Sequence, residues 1–325
     1  MRKIWAKPKL LVSSCLNNEK CRYNGQDSPC KLLKDLTPYI DIISICPEVG
    51  IGLQTPRESI RVVGDSYSSS LINPKTKEDL TQKMENFIES KINKLIQENI
   101  NGVLLKSKSP SCGLYDVKIY SSEEKGCNSI KGKGLFAKAI CEKFPCAVIE
   151  DDGRLLNFDL RDNFLNKIFI LADFDLVKTS GEIVELLKFH TKNKLLFKTY
   201  SQDITLKLGT LIAKQDSYTF EDLLDKYNEL LNLMLKKNQK FKRCIYIFEK
   251  AYGYLSKNLN ENEKIFFKET LDEYKDGKQA KKTLVILLKS YAIRFNDEYL
   301  LNQTLLEPYP EALLNLDDSG KGIVR

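Results

Sequence analysis

Short apolar runs and longer stretches with helical spacing alternate through the first half of the chain. The second half carries helical spacing almost alone. Lys9–Ser14, Asp41–Ile45, Gly102–Lys106 and Cys146–Glu150 are short, apolar and rich in β-branched residues, so each predicts a strand. Between them, Met84, Phe87, Ile88, Ile92, Leu95 and Ile96 fall on one face of a helix over Thr81–Glu98. Lys133–Lys143 reads as a second helix. Strand–helix alternation of this kind predicts an α/β domain with a mostly parallel sheet.

From about Arg161 the pattern changes. Asp173–Thr199 holds apolar residues at helical spacing. Thr219-x-x-Asp222 and Asn260-x-x-Glu263 read as helix N-termini. Gly277 ends one helix and Lys278–Phe295 forms another. Eight of the ten prolines and ten of the sixteen glycines lie in the first half, which agrees with loops there and helices after it. The expectation is an α/β domain over residues 1–160 and an all-α bundle of five or six helices over 161–325. The stretch 151–163 is the expected connector.

Charge and composition narrow the class only a little. A net charge of +7 over 325 residues is mild. Lys and Glu are interspersed, and no basic stripe is interleaved with aromatics, so there is no strong nucleic-acid signal. No apolar run approaches the roughly 20 residues that span a bilayer. The N-terminal apolar stretch runs straight into the first cysteine motif, which a cleavable signal would remove, so the expected location is the cytoplasm. Nine cysteines in such a compartment are not expected to form structural disulfides.

Eight of those cysteines lie in the first half. Cys141, Cys146 and Cys244 sit in apolar surroundings and read as small packing residues. Cys15 and Cys46 follow the first and second predicted strands directly, and Cys112 follows the third after a short turn. Ligands of open parallel sheets bind at the carboxyl ends of the strands. Three thiols from distant positions are therefore expected to meet at one sheet edge. Pro47 and Pro110 stiffen the loops there, while Gly50, Gly52 and Gly113 allow close backbone approach. The closest cysteine spacing is Cys141 to Cys146, and no second close pair accompanies it to complete a structural zinc site. Three thiolates leave a metal position open, or one iron of an iron–sulfur cube free. Inert core cysteines are the plain alternative.

Four motifs go further. SSCLNNEKCRYNG (13–25), CPEVGIGLQTPRE (46–58), LLKSKSPSCGLYD (104–116) and GKGLFAKAI (132–140) resemble, in order, the thiouracil desulfidase (TudS) family. The resemblance spans residues 8–160. LLKFHTKNKLLFKTYSQDITLKLGTLIA (186–213) resembles the YbgA-like helical domain often fused to that family. Ile51-Gly52 stands where the pattern leads one to expect a Gly-Gly pair.

The resemblance implies a [4Fe–4S] cluster on Cys15, Cys46 and Cys112, with the fourth iron open to the sulfur of a thiolated pyrimidine. It implies hydrolysis of a C=S bond, with sulfide leaving and no net electron transfer. Glu48 is the general-base candidate. Ser111 is the candidate for positioning substrate or relaying a proton, with Ser109 as the alternative. Arg22, Arg57 and Lys106 are candidates for a substrate phosphate, or for pairs with nearby carboxylates. Cys21 stays open between a fourth ligand, a substrate-side thiol and packing. His190, the only histidine, reads as a core or capping residue, so histidine triads are excluded. Two readings compete with the desulfidase: a zinc- or RNA-binding module without catalysis, and a Cys15–Cys21 redox switch.

Overall fold

The structure is a computed structural model that describes residues 5–65, 68–124, 126–315 and 317–319. The chain forms two compact units. One holds residues up to Ala172 together with 312–319, and the other holds Asp173–Glu311. The helix Phe158–Ser180 includes the division.

Among the described residues of the first unit there are eight strands: β1 (Lys9–Ser13), β2 (Asp41–Ile45), β3 (Arg61–Gly64), β4 (Ser69–Ile72), β5 (Gly102–Leu105), β6 (Val117–Tyr120), β7 (Ser129–Gly132) and β8 (Val148–Asp151). The four predicted runs all form one sheet, in the order β2-β1-β5-β8, and every pairing in it is parallel. Parallel sheets bury both faces, which is why β1 and β5 are near-continuous apolar runs.

A second four-stranded sheet, β4-β3-β6-β7, was not anticipated from the sequence. It is mixed: β3 and β6 run parallel, while β4 and β7 pair antiparallel on the outside. Its strands are four residues long, and β7 is mostly exposed, so no apolar run announces it.

Helices Thr81–Leu95 and Leu135–Lys143 match their predicted spans closely. The first buries Met84, Ile88, Ile92 and Leu95 in a core shared with Leu11, Val62, Leu71, Val103, Leu105 and Phe136. Ile96 is exposed, because the helix tightens into a 3₁₀ turn there and rotates it off the apolar face. The stretch 151–163 holds the end of β8, a 3₁₀ turn and the start of the Phe158–Ser180 helix. Asn157 Oδ1 accepts from Leu160 N at 3.0 Å and starts that helix. Arg161 is buried and donates to the carbonyls of Leu155, Leu156, Asn315 and Asp317.

The second unit is all-helical. Within it run Ile183–Tyr200, Gln202–Ala213, Phe220–Leu235, Phe241–Leu255, Glu261–Lys275 and Lys281–Arg294, followed by the short Glu298–Leu301. Both anticipated caps are present. Thr219 accepts from Asp222 N, and Asn260 and Glu263 form a reciprocal capping box. Gly277 takes φ +76° after the Glu261–Lys275 helix, the left-handed turn that a glycine stop supplies. The interior is aromatic, with Phe174 stacked on Tyr227 at 5.6 Å and tilted against Phe189 at 5.2 Å. His190 lies inside this unit as a core residue, with Nδ1 3.0 Å from the Tyr227 hydroxyl. Burial first, then Lys194 and Lys198, push its pKa down to about 4. No helix among the described residues is long and apolar enough to cross a membrane.

Candidate active site

The carboxyl ends of β1, β2 and β5 open into a cavity of about 1150 Å³, which β3, β6 and β7 of the second sheet close from the other side. Cys15 lies in the 3₁₀ turn after β1, and Cys46 directly follows β2. Cys112 sits in the loop after β5, where Gly113 N donates to Ser109 O at 2.7 Å and turns the chain. All three thiols line the cavity, and so does Cys21. None of them is in a disulfide.

Burial, and then the nearby Cys46 thiol, raise Cys15 to about 11 against the pull of Lys106 and Arg22. Burial drives Cys112 well above the usual thiol range; a hydrogen bond from Ser13 opposes this, while Cys46, Glu48 and Cys15 add to it. Cys21 is likewise raised, by burial and then by Cys46. Its immediate sulfur neighbour is thus Cys46, whose Sγ also lies 3.8 Å from the Cys21 carbonyl oxygen.

Several thiols that resist ionisation next to one another form a donor set that needs added positive charge. Among the described residues no three His, Cys, Asp or Glu side chains converge on a single-ion point. The thiols share the lining of one cavity, and Cys15, Cys21 and Cys112 each lie close enough to Cys46 to feel its charge. Cys15, Cys46 and Cys112 therefore fit the cluster that the motifs imply.

Beside the thiols is a hydrogen-bonded carboxylate. Cys46 and Pro47 lead into a single helical turn, Pro47–Gly50, which carries Glu48. The residue is only 9% exposed yet lines the cavity. Ser111 Oγ donates to Glu48 Oε1 at 2.8 Å, and Ser109 Oγ lies 3.4 Å from the same oxygen. The two serine hydroxyls are 3.1 Å apart, and Ser109 Oγ accepts from Cys112 N at 3.1 Å. On the other side, Arg57 Nε and Nη2 donate to Glu48 Oε2 at 3.1 and 2.5 Å.

The remaining cations differ in their commitments. Lys106 Nζ is bonded to Asp152 Oδ2, whose other oxygen accepts from Ser107 N at 2.8 Å. Arg22 lines the cavity, with Nη1 donating to Asp27 O at 3.4 Å and the guanidinium 5.9 Å from the centre of the Tyr23 ring. Asp152 and Ser13 escaped the sequence reading. Asp152 directly follows β8, the fourth strand of the parallel sheet, and Ser13 ends β1, so the strand-end rule that found the cysteines points to both.

The glycines behave differently from expectation. The close neighbours of Gly50 and Gly113 are the protein's own groups. A Cβ on Gly50 would lie 2.1 Å from the Phe87 ring, and one on Gly113 2.4 Å from Val117. Ile51 is unstrained at φ −87°, because the left-handed residue of the turn is Gly52 at φ +89°. Cys244 is buried as expected and Cys141 is half-buried, but Cys146 is exposed and packs nothing.

Residues 10–152 match the family model described as 2-thiouracil desulfurase. Residues 194–310 match one described as a protein of unknown function (DUF1722). The uncharacterized protein YbbK of Bacillus subtilis is 31% identical over 134 residues, covering 39% of this chain and 86% of its own. The uncharacterized protein YbgA of Escherichia coli is 27% identical over 170 residues, covering 51% of this chain and 98% of its own. A solved structure described as a [4Fe-4S]-dependent thiouracil desulfidase TudS matches at 28% identity, with a TM-score of 0.38, over 46% of this chain and 93% of its own. With motifs, strand-end thiols and the matched region in agreement, the chain belongs to the 2-thiouracil desulfurase (TudS) family, joined here to a YbgA-like helical half.

Proposed function

We propose that this chain is a [4Fe–4S]-dependent desulfidase that hydrolyses the C=S group of a thiolated pyrimidine, of the thiouracil or 4-thiouridine-nucleotide type. Residues 1–160 form the desulfidase domain and 161–325 the YbgA-like domain. The observation that carries the reading is the gathering of Cys15, Cys46, Cys112, Glu48 and Ser111 on one cavity. Free thiols and a cluster both suit a reducing compartment, so the cytoplasm is the proposed location.

Cys15, Cys46 and Cys112 would hold the cluster as thiolates. When bound, the cluster supplies a soft Lewis acid for the substrate sulfur at the iron without a cysteine. The net change is C=S plus water giving C=O plus hydrogen sulfide. Carbon keeps its oxidation level, so no electron donor is needed.

The protein's own groups move the protons. Glu48 is the base. As water adds to the C=S carbon, its proton passes to the Ser111 oxygen while Ser111 hands its own to Glu48 Oε1 along the 2.8 Å bond. The same carboxyl returns that proton to the departing sulfur, and the proton of the hydroxyl left on carbon follows by the same relay, so that C=O forms and sulfur leaves as hydrogen sulfide. Ser109 and Arg22 face the cavity as substrate contacts, and Lys106 adds positive charge at its edge.

The test is iron and acid-labile sulfide per chain after anaerobic reconstitution, for wild type and Cys112→Ala, followed by sulfide release from 2- and 4-thiouracil. About four irons in wild type, lost in the variant, with sulfide released only by wild type, is the expected result. Zinc, or a folded protein that takes up no iron, refutes the reading.

A further inference from the structure

The geometry points to Arg57 as the positioning residue that aims Glu48, rather than as a contact for a substrate phosphate. This rests on the desulfidase reading and deepens it.

Every nitrogen of the guanidinium is already engaged. Nε and Nη2 both donate to Glu48 Oε2, at 3.1 and 2.5 Å. Nη1 donates to Gln54 O at 3.3 Å and Thr55 Oγ1 at 3.1 Å. The side chain is 7% exposed, so no edge remains to fork around an anion. The selectivity of the contact is the informative part. An Arg–carboxylate fork usually takes one oxygen per nitrogen. Here both nitrogens take Oε2, and Oε1 is left to Ser111 and Ser109. The arginine therefore fixes the rotation of the carboxylate about its last bond. It also gives the side chain of Glu48, 9% exposed as a residue, an ion-pair partner.

A residue that acts through Glu48 has a signature that plain structural support lacks. Its removal lowers kcat with little change in KM, and costs nothing further once Glu48 can no longer act as a base. A phosphate contact has the opposite signature: KM rises for the nucleotide and not for the free base.

The experiment is a double-mutant cycle on the reconstituted full chain, using Arg57→Met, Glu48→Gln and the pair, with 4-thiouracil and its nucleoside monophosphate as substrates. Iron content and thermal midpoint are recorded for each protein. Arg57→Met alone leaves a buried carboxylate uncompensated, so Arg57→Lys, which keeps the charge but not the planar fork, is run beside it. The expected result is a kcat loss of about 10- to 100-fold for both Arg57 variants on both substrates, with KM within about threefold. In the Glu48→Gln background, Arg57→Met causes less than a twofold further loss. Additive losses, a KM increase confined to the nucleotide, or unchanged kcat in Arg57→Lys each overturn the proposal. Wild-type protein that carries iron but releases no sulfide from either substrate overturns the desulfidase reading itself, which separates the two failures.

Discussion

The hydroxyl of Ser111 donates to Oε1 of Glu48 at 2.8 Å, across 63 positions of sequence. One partner belongs to the turn after β2 and the other to the loop after β5, so the bond ties two strand ends together beside the thiols. It also sets a hierarchy for mutation. Glu48→Gln removes the base and should lower kcat by about 10²- to 10⁴-fold with the cluster retained. Ser111→Ala removes one charge-assisted bond while Ser109 remains 3.4 Å away, so a loss of about 10- to 100-fold is expected. Steady-state sulfide release at matched iron content measures both. An effect of Ser111→Ala larger than that of Glu48→Gln would reverse the assigned roles.

The four cavity thiols should separate into two classes. On the proposed reading each of Cys15, Cys46 and Cys112 supplies one of three anchors, so serine at any of them is expected to abolish retention of a full cluster. Cys21→Ser is expected to keep about four irons per chain, as Cys21 is placed beside Cys46 rather than at a strand end of its own. Iron analysis of the four purified variants is sufficient. Loss of iron in Cys21→Ser would make it a fourth ligand.

His190 makes the helical unit acid-sensitive. Its unfolded imidazole takes a proton near pH 6.5, whereas the folded one does so only near 4. Between those values the unfolded state binds more protons, so stability falls as pH drops through this window. At pH 5 the loss from this residue is about 2 kcal/mol. Urea denaturation at pH 7 and pH 5 should show His190→Gln less stable at neutral pH but with a shallower pH dependence. Parallel pH profiles for the two proteins would remove His190 as the cause.

Gly50 is required by packing. An added methyl would meet the Phe87 ring at 2.1 Å, so Gly50→Ala should cost about 1–3 kcal/mol. Combining it with Phe87→Ala, which empties the contested space, should recover part of that loss. A thermal midpoint in Gly50→Ala equal to wild type would mean that the ring swings away freely.

How much of this was legible depended on whether burial left a pattern in the sequence. β1 and β5 are apolar runs because the centre of the parallel sheet is covered on both faces, and the half-buried edge strands β2 and β8 keep enough apolar residues that all four were readable. Ser129–Gly132 lies largely in solvent, and the other strands of the second sheet are four residues long with burial at only one or two positions, too short a pattern to read, so that sheet was missed. The thiols were found because the strand-end rule depends on chain order alone. The partnership of Arg57 with Glu48 was not resolved in advance. An arginine nine residues from a carboxylate is within reach of it, but only the fold decides whether it turns toward that group or toward the cavity. The start of the helix at Phe158 did carry a signal, the capping Asn157, hidden within a polar stretch that reads as a connector.

The wall opposite the thiols is built from β3, β6 and β7, so the last strand of the cavity closes only with residues 129–132. During synthesis Cys15 and Cys46 leave the ribosome long before Cys112, and all three precede β6 and β7, the later strands of that wall. A cluster delivered early would meet two thiols and open water. On the proposed reading, the order of synthesis makes cluster loading a late event, after residues 129–132 have emerged.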